Sequence, residues 1–181
     1  MKNELPKRKH PRLNNYDYSS GGAYFITICT QNRQCVLSRI VGRGLAPAEI
    51  NKGKGLAPAE ANKVEHTLFG KIAEQQLLLL TERYPNLIID SYIIMPNHIH
   101  AVLILNCESA GASPRPTIMD VVCTYKSLTT RECRKNGFNE KLFQTSFYDH
   151  IIRNREDYEE HLKYIYKNPT NWHLDELYME D

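Results

Sequence analysis

The sequence predicts an α+β domain of the ferredoxin-like, split βαβ kind (β-α-β-β-α-β), an antiparallel sheet with helices on one side and one additional C-terminal helix. Three observations lead there. An aromatic and β-branched run, AYFITICTQ, stands at 23–31 behind Gly21-Gly22. Two apolar runs, together LIIDSYIIMPNHIHAVLIL at 87–105, are broken at Met95-Pro96-Asn97. Stretches of helical periodicity separate these runs from each other and from a last short strand.

Taken in order, 23–31 reads as the first strand because β-branched and aromatic side chains suit a pleated, half-buried surface. Residues 42–52 (GRGLAPAEINK) then recur almost unchanged as 53–63 (GKGLAPAEANK). Two copies of an 11-residue unit rich in Gly and Pro cannot stack as a solenoid, so 42–63 is expected to be a mobile inserted loop within one domain spanning 1–181. Thr67 to Tyr84 reads as a helix stopped by Pro85, which disfavours helical geometry in the residue before it. Two strands follow, joined at Met95-Pro96-Asn97. Their apolar residues fall on both parities, as in strands covered on both faces. After a Ser/Gly/Pro-rich loop at 107–116, Thr117 with Asp120 three residues on forms a capping box for the next helix, whose buried stripe is Ile118, Val121, Val122, Tyr125 and Leu128. SFYDHIIR at 146–153 is the last strand. Asn154, with Asp157 three residues later, caps a helix over 155–167 that precedes Pro169.

Composition narrows the class. The chain has 181 residues, 41% hydrophobic and 24% charged, enough for one packed core. No run approaches the roughly 18 apolar residues of a spanning helix. Its five cysteines form no C-x-x-C pair, and the basic N-terminal stretch has no apolar segment behind it. A reducing cytoplasm is the expected compartment. The net charge is only +2, but cations concentrate in two places: Lys7, Arg8, Lys9 and Arg12, and the segment holding Lys126, Arg131 and Arg134. Such clusters suit either a polyanion-binding face or plain solvated surface. The C-terminal end is acidic.

The chemistry-bearing residues lie on two elements. In a strand, i and i+2 project from one face, so His98 and His100 can share a metal ion or form a hydrogen-bonded pair of core histidines. On the last helix, Tyr158, Leu162 and Ile165 make the core stripe, and His161, Tyr164 and Asn168 lie beside it at spacings of three and four. Tyr164 and Asn168 therefore point almost the same way. Two imidazoles and an amide oxygen supply three N/O ligands with positions left open, suited to Mg²⁺ or Mn²⁺ on a phosphate oxygen. A phenol is a nucleophile able to form a covalent phosphoester. Basic stripes would hold a nucleic-acid backbone. His161, one turn before Tyr164, is a candidate general base or a solvated helix residue. His150, on the preceding strand, is given no role. Tyr158 is read as a half-buried aromatic, and Tyr166 is left open.

The segment Tyr92-Ile93-Ile94-Met95-Pro96-Asn97-His98-Ile99-His100 resembles the YxxMPNHxH signature of the single-tyrosine HUH transposases. RKHPRLNNYDYSSGGAYFITICTQNR, YKSLTTR and SFYDHIIRNREDYEEHLKYIYKNP resemble the same family, in its REP-associated tyrosine transposase branch. The likeness spans about residues 8–172, the duplicated segment apart. It implies that His98 and His100 are metal ligands with Asn168 as the third, a place held by Gln in the insertion-element branch. It implies that Tyr164 attacks a single-stranded DNA phosphate, leaving a 5′-phosphotyrosine and a free 3′-OH. A divalent ion, a hairpin or single-stranded DNA partner and a monomer rather than a dimer are the associated expectations. Phe143-Gln144 stands where the family usually has Trp-Gln. Pro169 is expected to push Asn168 away from helical geometry. Two rival readings are a hairpin-binding protein that no longer cleaves, and a metal-dependent hydrolase or nucleotidyl transferase without a covalent intermediate. Against the second, Val102 interrupts the alternating run of histidines that histidine-triad enzymes of that kind show.

Overall fold

A computed structural model describes residues 21–41, 63–106 and 116–179. The basic arm at Lys7, Arg8, Lys9 and Arg12 and the duplicated segment up to residue 62 lie outside the described residues. Strands β1 (Gly22–Cys29), β4 (Leu87–Ile94), β5 (His98–Leu105) and β6 (Tyr148–Ile152) form one antiparallel sheet in the order β4-β5-β1-β6. Numbered among themselves, these four strands lie second, third, first, fourth across the sheet, which puts the first strand at the centre beside the histidine strand. A second, two-stranded sheet pairs β2 (Ser38–Val41) with β3 (Lys63–His66), and Val41 stands opposite Lys63 across the duplicated segment. The sequence pattern reads 42–63 as a loop and assigns no strand on either side of it.

The helices are α1 (Leu68–Leu78), α2 (Leu80–Arg83), α3 (Ile118–Lys135) and α4 (Arg155–Lys167). Their starts follow from side chains seen in the sequence. Thr117 and Asp120 close the capping box on α3, and the Asn154 side chain accepts from the Asp157 N–H on α4. The Thr67 hydroxyl caps α1 and also bonds the Leu37 carbonyl. That carbonyl explains Gly70, where an added Cβ would meet the Leu37 oxygen at 1.9 Å.

Strand parity assigns the two faces. Tyr24, Ile26 and Ile28 of β1 and Ile99, Ala101, Leu103 and Leu105 of β5 pack with α1 and α3 into the main core. The opposite parity, Phe25 and Val102, packs under α4 against Ile165, with Tyr158 and Leu162 at the margin. The sheet thus carries helices on both faces, the additional helix alone on the second. In β4 a bulge between Ile89 and Ser91 changes which parity points inward. It leaves the Asp90 carboxylate to accept from the Tyr158 hydroxyl of α4 at 2.8 Å.

Candidate active site

The α4 face of β1 and β5 holds the two histidines. In the register His98 stands opposite Cys29 and His100 opposite Thr27, and both imidazoles are buried with ring centroids 4.4 Å apart. Their orientation is set from behind. His98 Nδ1 lies 2.8 Å from the Asn97 side-chain oxygen, which can only accept, so Nδ1 carries the proton. His100 Nδ1 lies 2.9 Å from the Thr27 hydroxyl. In both rings Nε2 is buried and has no hydrogen-bond partner among the described residues. Burial holds both imidazoles neutral: His98, with Arg33 adding to the effect, is lowered to about 3, and His100 falls well below its usual range, helped by His98.

Asn168 supplies a third atom of the same kind. It keeps right-handed helical geometry (φ −56°, ψ −44°) in spite of Pro169, contrary to the expectation from sequence. Its N–H donates to Tyr164 O, Asn171 N–H continues the turn onto Lys167 O, and its amide nitrogen donates to Asp175 Oδ2 at 2.6 Å. These bonds outweigh the local preference of a residue before proline. The Asn168 side-chain oxygen is buried and has no partner among the described residues. Each such orphaned acceptor costs on the order of 1–3 kcal/mol. Two imidazole nitrogens and an amide oxygen fit a divalent cation: His98 Nε2 and Asn168 Oδ1 carry free lone pairs, and His100 Nε2 does so when its Nδ1 donates to the Thr27 hydroxyl; the backing of each imidazole at Nδ1 is the usual support of a ligating histidine.

Asp175 is the residue that sequence reasoning missed. After α4 the chain reverses through a short 3₁₀ turn at Trp172–Leu174, which returns this carboxylate beside His98 and His100. Ligand atoms of the three lie within 4.8 Å of one another. Trp172 packs on the His98 ring, and the Asn97 amide donates to Leu177 O at 2.7 Å. The only trace in the sequence was an acidic C-terminal end.

Tyr164 is 43% exposed, and its hydroxyl donates to Asp175 Oδ2 at 3.1 Å, the oxygen that also receives Asn168. Burial raises its pKa above 10, and the Asp175 charge and hydrogen bond raise it further. The ring meets Phe25 and His100 edge-on. Tyr158 is tied to Asp90, and Tyr166 points to solvent at 73% exposure. His161 turns its Nδ1 to the Asp157 carbonyl at 2.7 Å, and the Tyr164 hydroxyl donates to Asp175. A cavity lined by Phe25, Thr27, His161, Tyr164, Asn168 and Asp175 opens onto this set.

Lys126 donates to three carbonyls, of Gln144, Thr145 and Ser146, which ties α3 to the loop before β6. Its half-buried ammonium lines the edge of a groove. Arg131 and Arg134 line the same groove together with Lys135 and Lys141.

The four-stranded antiparallel sheet and its helices form an α+β domain with a transposase-like fold. The comparison that places it there is the solved structure of a REP-associated tyrosine transposase bound to a REP hairpin, with a TM-score of 0.58 at 20% identity, covering 89% of this chain and 74% of that one. In sequence, the chain is 28% identical over 188 residues to an uncharacterized protein of Haemophilus influenzae, covering 96% of this chain and 94% of that protein. It is 26% identical over 166 residues to a second H. influenzae protein, provisionally named a REP-associated tyrosine transposase, with 87% and 77% covered. No family model matches the chain. The chain is thus similar to the REP-associated tyrosine transposases, the resemblance its motifs carry. Among the described residues no helix is long and apolar enough to cross a membrane.

Proposed function

We propose that this chain is a transposase-like endonuclease that cleaves and rejoins single-stranded DNA beside a hairpin, through a 5′-phosphotyrosine at Tyr164. The observation that carries the reading is a set of buried polar atoms with no partner among the described residues, His98 Nε2, His100 Nε2 and Asn168 Oδ1, joined by Asp175, which lies beside both imidazoles and accepts from the Asn168 amide and from the exposed Tyr164 phenol. The resemblance to REP-associated tyrosine transposases, and the REP hairpin bound in the similar solved structure, support a DNA substrate.

His98, His100 and Asn168 would hold Mg²⁺ or Mn²⁺, with Asp175 beside them; when bound, the ion supplies Lewis-acid polarisation of a phosphate oxygen. The protein's own part is positional. The phenol oxygen forms a bond to phosphorus as the bond to the 3′ oxygen breaks, the phenol proton leaves toward Asp175, and the released strand takes up a proton as its 3′-OH. Rejoining is the reverse attack by a 3′-OH. Because burial and Asp175 both raise the Tyr164 pKa, proton removal must accompany attack. Arg131 and Arg134 suit the backbone of the flanking strand.

The test is a labelled hairpin with a single-stranded flank, incubated with Mg²⁺ or Mn²⁺ and then boiled in detergent. A protein–DNA adduct is expected, lost in Tyr164→Phe and kept in Tyr166→Phe. Loss in Tyr166→Phe instead, or cleavage that survives His98→Ala with His100→Ala, would sink the assignment. The rival reading, a hairpin binder that does not cleave, is favoured by one observation: Asp175 occupies both the Tyr164 hydroxyl and the Asn168 amide. Tight hairpin binding with no adduct in either metal would select it.

A further inference from the structure

A second cluster of ligating side chains lies between β6 and the first turns of α4, sharing no ligand with the site above. His150 Nε2 stands 2.9 and 3.0 Å from the two carboxylate oxygens of Asp157. His161 Nδ1 stands 3.1 Å from Asp157 Oδ1. The two imidazoles stack at 4.6 Å with planes 23° apart, and one ligand atom from each of the three residues lies within 4.8 Å of the others. All three are half-buried. The Asp157 carboxylate is held in place by the Arg153 N–H, and Glu156 and Glu160 line the adjoining hollow with Arg153.

We propose that His150, Asp157 and His161 form a second cation site, for a transition ion of the Zn²⁺ class, that pins α4 to the edge strand of the sheet. The donor set selects the ion: two imidazole nitrogens and one carboxylate suit Zn²⁺, whereas Mg²⁺ and Ca²⁺ prefer oxygen throughout. Three protein ligands leave one tetrahedral position for water. Ligand atoms at roughly 2.0–2.2 Å from zinc lie about 3.3 Å apart, so the contacts to Asp157 need open by only a few tenths of an ångström. To ligate, each imidazole carries its single proton on its other ring nitrogen, and His161 gives up its bond to the Asp157 carbonyl.

Position gives the site its consequence. The His161 ring packs on Phe25 at 4.5 Å, and Phe25 in turn touches Tyr164 and stacks on His100. An ion at this cluster fixes the half of α4 that precedes Tyr164 against β6. The inference does not rest on the proposed cleavage chemistry.

Zinc titration of the chelator-stripped full chain tests it, by calorimetry, in a His98→Ala/His100→Ala background that removes the other histidine pair. One equivalent should bind there, zinc should raise the thermal midpoint, and His161→Gln or His150→Gln should weaken binding at least tenfold and abolish the rise. If the double background does not fold, the same comparison in the wild-type chain serves: His161→Gln should lower the stoichiometry by one. No binding in the folded background, or stoichiometry and affinity unchanged by both glutamine substitutions, would overturn the site.

Discussion

The two faces of the sheet are built from the same strands and differ in kind. Toward α1 and α3, β1 and β5 present Tyr24, Ile26, Ile28, Ile99, Ala101, Leu103 and Leu105, a closed apolar layer. Toward α4 the alternate residues include Thr27, His98 and His100, and only Phe25 and Val102 of these two strands join the small apolar cluster under the helix. A buried polar atom without a partner works against folding, and the second face holds three that have none among the described residues, His98 Nε2, His100 Nε2 and Asn168 Oδ1. One face holds the fold, and the other gives up part of that stability to form a site.

The sharpest way to break this comparison is one substitution on each face. Leu103 is fully buried, and Leu103→Ala should cost about 2–5 kcal/mol through lost transfer energy and the cavity left behind. Tyr164→Phe removes only a half-exposed hydroxyl with one hydrogen bond, and should change stability by less than about 1 kcal/mol while abolishing the DNA adduct. Chemical denaturation and the adduct assay read the two effects separately. A Tyr164→Phe protein as unstable as Leu103→Ala would erase the division of labour.

Acid should act on the site face first. His98, lowered to about 3, and His100, lowered well below 6.5, are neutral when folded and protonate near 6.5 when unfolded. The unfolded chain therefore binds more protons below that pH. The stability tied to the neutral rings is complete above about pH 6.5 and is lost as pH falls, by about 1.4 kcal/mol per pH unit for each ring, down to about pH 3 for His98. Denaturant melts at pH 7 and pH 5.5 should show this slope, and a His98→Gln/His100→Gln chain should flatten it. Asp175 gives a smaller effect in the same region. It raises the Tyr164 pKa by charge and by hydrogen bond, so Asp175→Asn should bring the phenol down toward the ordinary value near 10. Tyrosine-labelled NMR, with the resonance assigned through Tyr164→Phe, measures the shift; an unmoved titration would mean that burial alone sets it.

What the sequence displayed and what it hid divide along the same physical line. Local chemistry was legible. Thr117 with Asp120 and Asn154 with Asp157 mark helix starts within four residues, strand parity places His98 beside His100, and helical spacing aligns Tyr164 with Asn168. Features made by distant chain segments were not. Asp175 reaches the histidines only because the chain turns back after Pro169, and Lys126 meets carbonyls 18 to 20 residues away. The β4 bulge, which leaves Asp90 under Tyr158, has no signature in an alternating apolar run. Strands β2 and β3 are four residues each, with two and three polar residues, too short for periodicity to separate them from loop.

The smallest expected effect concerns the duplicated segment. The pairing of Val41 with Lys63 closes a connection of 21 residues, and deleting 42–52 leaves 10 while keeping Lys63 in β3. Closure entropy changes slowly with length, so halving the connection should stabilise the chain by only about 0.6 kcal/mol, or roughly 1–3 °C in thermal midpoint. The only differences between the copies are Arg43 against Lys54 and Ile50 against Ala61, and neither changes the charge, so the deletion removes no residue type that the remaining copy lacks except isoleucine and arginine. The hydrogen bonds described for His98, His100, Tyr164 and Asn168 all run to residues outside it. We therefore propose that the segment is a neutral insertion, and adduct formation in the deleted chain should stay within about twofold of wild type. A loss of several kilocalories per mole, or of cleavage, would show that the second copy packs against the sheet or the substrate and belongs to the working domain.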